Sequence, residues 1–196
     1  MVKRKQGTGK PDPRKDRSAH DAARGVKQMA LSDISKQLPT EDQIENYLDL
    51  LLNESDRGAA IMASGFTEQA LQTAICSRIA DHGETVRKSW FEGDNAPFAT
   101  FSAKIQLGMA LGIYADKMRD QLITIKNIRN QFAHCSVPLD FRHPAIVGAV
   151  RSFRNEELPE LDKARARYCA MCLAIAQLLI VDAFEKGGQK FFIRYP

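Results

Sequence analysis

The segment Ile128-Arg129-Asn130-Gln131-Phe132-Ala133-His134 sets a permanently charged guanidinium five residues before an imidazole, with a carboxamide directly after the arginine. An imidazole that titrates near neutrality can take the proton of an RNA 2′-hydroxyl or protonate a leaving oxygen. A guanidinium can stabilise charge that develops on the phosphorus oxygens, and an amide can position the phosphate. Arg129, Asn130 and His134 are therefore candidates for RNA cleavage without a metal. The plainer reading is as concrete. Arg129 would sit in a buried ion pair, and His134 would cap a helix C-terminus, where a cationic imidazole suits the dipole. From spacing alone the plainer reading is the commoner one, because structural ion pairs are frequent in helical sequence.

These residues close a helix predicted from Asp116 to His134. Met118, Leu122, Ile125 and Phe132 make an apolar stripe along it, and Arg129 falls on that stripe, four residues after Ile125 and three before Phe132. A guanidinium there needs an acidic or anionic partner, since unpaired burial costs several kcal/mol. Glu68, between Phe66 and Ala70, is a candidate partner. Five residues put His134 about 140° around the helix from Arg129. The two converge only if the helix ends near His134 or if two chains share a groove.

The other elements that must position this segment are also helical. Thr40 and Gln43 make a capping box ahead of Ile44, Tyr47, Leu48, Leu51 and Leu52. A second helix is predicted over 55–82, with Ile61, Leu71, Ala74, Ile75 and Ile79 as its apolar positions and Gly83 as its stop. Gly58 and Gly65 inside it imply close helix contacts or a kink. Residues 83–101, with Gly93, Asp94, Asn95 and Pro97, read as a loop. A third helix is predicted from Ser102, as N-cap, to Gly112. Pro138 and Pro144 bracket an irregular connection leading to a short helix that ends near Phe153. A long last helix is expected from Pro159 to Lys186, ended by Gly187-Gly188. With no β pattern and no repeat, the chain reads as an all-α, single-domain bundle of about five main helices.

Composition fits that reading. At 196 residues, 44% hydrophobic and 27% charged, the chain can bury a substantial core and is not disordered as a whole. Its charge is uneven. Residues 1–27 hold nine Lys/Arg against three Asp, and because the whole chain is only +4 the remainder is slightly acidic. The domain reading follows: 1–36 a flexible basic tail that could include a short helix from Val26, 37–186 the helical body, and 187–196 an aromatic segment (Phe191, Phe192, Tyr195). Lys3, Arg4, Lys5, Lys10, Arg14, Lys15 and Arg17 are candidates for nucleic-acid contact through phosphates, without base reading. A solubilising extension explains them as well. No helix-turn-helix, zinc finger or basic zipper is present.

No signal-like apolar run follows the basic N-terminus, and the longest apolar stretch, Tyr168 to Val181, is interrupted by Gln177 and falls short of the ~20 residues that span a bilayer. A cytoplasmic protein with no membrane partner and reduced thiols is expected. Cys169-x-x-Cys172 has metal-ligand spacing but lies in mid-helix without a second pair, so buried thiols are expected and no metal or other cofactor. Gly7-Thr8-Gly9-Lys10 lacks the spacing of a phosphate loop. Asp56 and Arg57 open the second helix, Asp56 suiting its dipole and Arg57 available to an anion; Lys104 is a candidate phosphate contact. With Glu68 they form a further candidate polar set. His20 and His82 read as surface residues, and His143 as a second polar contact near His134.

Four blocks in order resemble the mannitol operon repressor (MtlR) family: Glu54-Ser55-Asp56-Arg57-Gly58-Ala59-Ala60, Phe101-Ser102-Ala103-Lys104-Ile105, Ala110-Leu111-Gly112 and Ile128 to His134. The likeness spans roughly residues 40–185. It implies an all-helical transcriptional regulator or repressor acting through protein contacts and possible nucleic acid. The Arg-Asn-x3-His block alone is similar to the R-x4–6-H motif of the HEPN superfamily, which implies either a ribonuclease of toxin or defence type, with Arg129 and His134 paired across a homodimer, or an inactive binding member. A non-catalytic helical interaction module is the third alternative.

Overall fold

The computed structural model describes residues 41–153 and 163–185, with the side chains of all of these except 41–45 and 185. The chain divides into two units, residues 1–37 and 38–196, and every described residue belongs to the second. The basic tail with its seven candidate cations, the short helix expected from Val26, Thr40, His20 and the aromatic segment 187–196 lie outside the described residues, as does the side chain of Gln43.

The described part is all-α. Seven helices follow one another: α1 Glu41–Asn53, α2 Asp56–Cys76, α3 Glu84–Phe91, α4 Phe101–Ala110, α5 Asp116–His134, α6 Pro144–Arg151 and α7 Ala164–Glu185. The count is seven rather than about five because two helices of eight residues, α3 and α6, join the five longer ones.

α2 and α7 are the axis of the fold. Asp56 meets Arg165, Tyr168 meets Ala60, and Thr67 meets Cys172. Residue numbers rise together on the two helices, so α2 and α7 run parallel. Ala59, Ala60, Ala63, Ala70 and Ala74 are fully buried along α2, and these small side chains let the backbones approach. Two buried hydroxyls on the same face are satisfied locally. Ser64 donates to the Ala60 carbonyl at 2.8 Å, and Thr67 shares its proton between the carbonyls of Ala63 (3.0 Å) and Cys172 (3.1 Å). The Tyr168 hydroxyl lies 3.2 Å from Ala60 O and 3.4 Å from Ile125 O, joining α7 to α2 and α5.

α5 packs against α2 in the opposite sense, Arg57 reaching Cys135 and Glu68 reaching Arg129. The stripe read from its sequence is its core face: Met118, Leu122, Ile125 and Phe132 have no exposed surface. Phe132 continues into a run of rings, 4.7 Å to Phe141 and 5.4 Å from there to Tyr168. Phe141 thereby fixes the irregular connection ahead of α6.

Helix ends differ from the sequence reading at three places. α2 stops at Cys76 instead of running to His82. The Ser77 hydroxyl donates back to the Ala74 carbonyl at 2.8 Å, and Arg78 turns to a buried ion pair with Asp182 of α7. Gly83 has φ 84° and precedes α3, so it starts a helix inside the expected loop instead of ending α2. α4 begins at Phe101 and its cap lies two residues before the expected Ser102, at Thr100, whose hydroxyl accepts from Ala103 N at 3.1 Å.

α7 also corrects a length argument. Its window Ala164–Phe184 is long and apolar enough to cross a bilayer, and half of it is buried within the protein. The buried half includes Tyr168, Cys169, Met171, Cys172, Ile175, Ala176 and Leu179, while Leu178, Val181 and Phe184 remain exposed. Apolarity in this helix is largely used in packing on α2.

Gly58 and Gly65 do not mediate helix contacts. A Cβ at Gly58 would meet Glu54 Oε2 and Ser55 Oγ at 3.0 Å, both in the turn before α2, and one at Gly65 would meet nothing within 4 Å. Gly108 is the glycine on which packing depends, since its Cβ would lie 2.7 Å from the Tyr114 hydroxyl. That hydroxyl is held by a 2.7 Å bond to the Ile105 carbonyl, so the ring has nowhere to retreat. Gly108→Ala should cost about 1–3 kcal/mol through overpacking. Gly65→Ala should gain about 0.4–1 kcal/mol by restricting the unfolded chain. Urea midpoints of the two variants should move in opposite directions.

Candidate functional site

The candidate residues assemble into two separate polar clusters on α2. In the first, Glu68 receives both of its neighbours' cations: Oε1 lies 2.8 Å from Lys104 Nζ of α4, and Oε2 lies 3.0 Å from Arg129 Nη2 of α5. Arg129 Nη1 donates to the Asn130 Oδ1 at 3.2 Å. The side chains are 8% (Lys104), 15% (Glu68) and 32% (Arg129) exposed. The expected partner of Arg129 is thus in place, supplied by the same chain. One carboxylate serves two cations, which leaves the cluster formally positive.

The second cluster gathers Asp56 and Arg57. Asp56 Oδ2 accepts from Phe141 N at 2.8 Å, and Oδ1 lies 3.2 Å from Arg165 Nη1. Arg165 Nη2 donates in turn to the carbonyls of Leu51, at 2.6 Å, and Glu54. This one pair therefore binds the end of α1, the start of α2, the connection before α6 and the start of α7. Asp56 does more than sit on the α2 dipole. Arg57 donates to the Cys135 carbonyl at 2.7 Å, capping the C-terminus of α5 from the start of α2.

Arg129 and His134 are not brought together within the protomer. α5 stays helical through His134, so the angle between the two side chains remains about 140°. Arg129 turns inward to Glu68, whereas His134 is exposed, with no hydrogen-bond partner among the described residues. The arginine whose contact lies beside His134 is Arg57, through Cys135. His143 makes no contact with His134; its Nδ1 accepts from Ala145 N at 3.3 Å and caps α6.

The thiol pair is a packing feature. Cys169 and Cys172 are buried in α7, and burial pushes the Cys169 thiol up to about 12 and raises that of Cys172 still further. Among the described residues no group of three or more His, Cys, Asp or Glu is placed to hold a metal ion.

Arg165 is the site residue that the sequence reading passed over. A cation in the first turn of a long apolar helix opposes the dipole, and that mismatch signals a carboxylate partner.

The first cluster's energetics lead to a direct expectation. Glu68→Gln leaves a buried cation (Lys104) and a partly exposed one (Arg129) without a counterion and should cost about 2 kcal/mol, lowering Tm by about 4–8 °C. His134→Ala, at an exposed position, should stay within about 0.5 kcal/mol of wild type. Thermal melts of the two variants measure both. Comparison of the chain with protein-family models, with curated proteins and with solved structures gave no match, which leaves the geometry to carry the functional reading.

Proposed function

We propose that this chain is a non-catalytic regulator, of the kind its resemblance to the mannitol operon repressor family implies, working through protein contacts and through its basic tail on nucleic acid. One observation carries the reading: Arg129 is paired with Glu68 of its own chain and turned about 140° away from His134. An arginine that stabilises a phosphoryl transition state must be free to face the phosphate. Arg129 instead holds α5 to α2 and, through Glu68, to α4. A HEPN-type ribonuclease would require a second copy to complete the pair, with the Glu68 contact given up in favour of substrate.

The tail contributes a separate, sequence-independent term. Each phosphate neutralised by a lysine or arginine steepens the salt dependence of binding by about 0.9 in log–log slope. Replacing Lys3, Arg4, Lys5, Lys10, Arg14, Lys15 and Arg17 by glutamine should therefore make the slope on duplex DNA shallower by about 3–6. Fluorescence anisotropy across a salt series measures this. An unchanged slope would remove the tail from the proposal.

The catalytic alternative is tested by incubating the purified protein with varied RNAs in EDTA, beside His134→Ala. Intact RNA is the expected outcome. Wild-type-specific fragments ending in cyclic or 3′-phosphate would overturn the regulatory reading in favour of a metal-independent ribonuclease.

A further inference from the structure

Where α2 stops short, the turn that follows it and helix α3 line an open surface pocket of about 180 Å3, in which Asp81, His82 and Arg87 are exposed. Ile79 and the Cys76 thiol give it apolar surface, and the Trp90 indole forms one wall. His82 stands edge-on to that indole, ring centres 5.7 Å apart and planes at 72°. Arg87 lines the same space from α3 and makes no ion pair among the described residues. Asp81, the one carboxylate in the lining, has Oδ1 accepting from Gly83 N at 2.9 Å.

Arg87 and Asp81 balance in formal charge across the lining, so what the pocket offers an anion is the Arg87 guanidinium itself. Arg87 and Lys104 both act on the Cys76 thiol, yet burial outweighs them and keeps it above its ordinary value, so the sulfur stays neutral and contributes no negative charge. Lys104 shares its only carboxylate with Arg129. A flat aromatic wall, an apolar floor and a guanidinium that makes no ion pair among the described residues are matched by one class of molecule. A planar ring stacks or packs edge-on against indole, and a carboxylate accepts both N–H groups of one guanidinium edge. The volume is of the order that holds a single benzene-sized ring.

We infer that the cavity between α2 and α3 is a binding site for a small planar carboxylate, its ring against Trp90 and its carboxylate on Arg87. Under the regulatory reading such a ligand is an effector, but binding does not depend on that reading. α3 is the element that would respond, because it carries both Arg87 and Trp90 and is anchored to the body by Phe91, whose ring lies 5.8 Å from Phe98.

Trp90 is the only tryptophan in the chain, so its emission reports on this cavity alone. Benzoate titrated into the full-length protein at constant ionic strength should change that emission saturably, with half-saturation at about 1 mM or below. Arg87→Gln should weaken binding by about tenfold or more, and benzyl alcohol, which keeps the ring and lacks the charge, should bind as weakly to wild type. Benzoate at saturation should also slow alkylation of Cys76 by iodoacetamide in Cys135→Ser protein by about fivefold. That readout stands even where Arg87→Gln disturbs α3. Linear, non-saturating quenching with the same slope in wild type and Arg87→Gln would overturn the site, as would an alkylation rate that benzoate leaves unchanged.

Discussion

The parallel contact between α2 and α7 is the constraint from which the rest of the structure follows. Two parallel helices cannot be joined by a short turn, so the chain must return the full length of the pair between Cys76 and Ala164. That return holds α3, α4, α5 and α6, and α5 is the element laid antiparallel on α2. The closeness of the central pair rests on alanines at 59, 60, 63, 70 and 74, with Thr67 bonding across to the Cys172 carbonyl. Larger residues at those positions would separate the backbones and break the Thr67 and Tyr168 bonds together. Each bond contributes only about 1 kcal/mol, but an orphaned buried hydroxyl or carbonyl costs more than that.

Charge is arranged on this frame at three levels of α2. Asp56 with Arg165 ties the start, Glu68 with Lys104 and Arg129 ties the middle, and Arg78 with Asp182 ties the chain just beyond the end. All three join segments distant in sequence, and all are at least partly withdrawn from solvent. Buried pairs of this kind are weak contributors to net stability but strong discriminators of register, because any slip leaves a desolvated charge unpaired. The first and last select the parallel α2–α7 alignment, and the middle one fixes α4 and α5 on α2. Arg129 belongs to this set, which is why its geometry points inward to Glu68 while His134, past the last inward turn, faces water.

Much of this was legible in the sequence, and the reason differs from element to element. The bounds of α5 and its buried stripe follow from periodicity, since an amphipathic helix writes its core face into the 3–4 spacing. The need for an anionic partner at Arg129 followed from its place on that stripe, and Glu68 was a named candidate. Gly83 was recognised as a boundary but given the wrong side of it, because a glycine with positive φ can end one helix or begin the next and local sequence does not distinguish them. α3 was hidden for another reason. It is one short segment between turn residues, and its Phe91 is buried in tertiary packing that includes the ring of Phe98. Asp56 and Arg57 were read as a local helix start, whereas their partners at 141, 165 and 135 are set by how the chain returns. The cavity was not legible at all, since its aromatic wall and its thiol come from different elements.

The early end of α2 links these observations. Its apolar periodicity continues to Ile79, yet the helix gives way at Ser77, where a hydroxyl bonded to Ala74 and a guanidinium drawn to Asp182 together outweigh further turns. Because it stops, Ile79 and Asp81 are carried away from the α2 axis and His82 is placed against Trp90. The ion pair that fixes the far end of the α2–α7 register thus lies just beyond the point where α2 ends and the pocket begins. A site built this way sits at the edge of the rigid pair, with one wall on the fixed frame and the other, α3, on an eight-residue helix that has few anchors of its own. Occupation would order α3 while leaving the α2–α7 axis unmoved, which is the mechanical requirement for signalling a small ligand without unfolding the core.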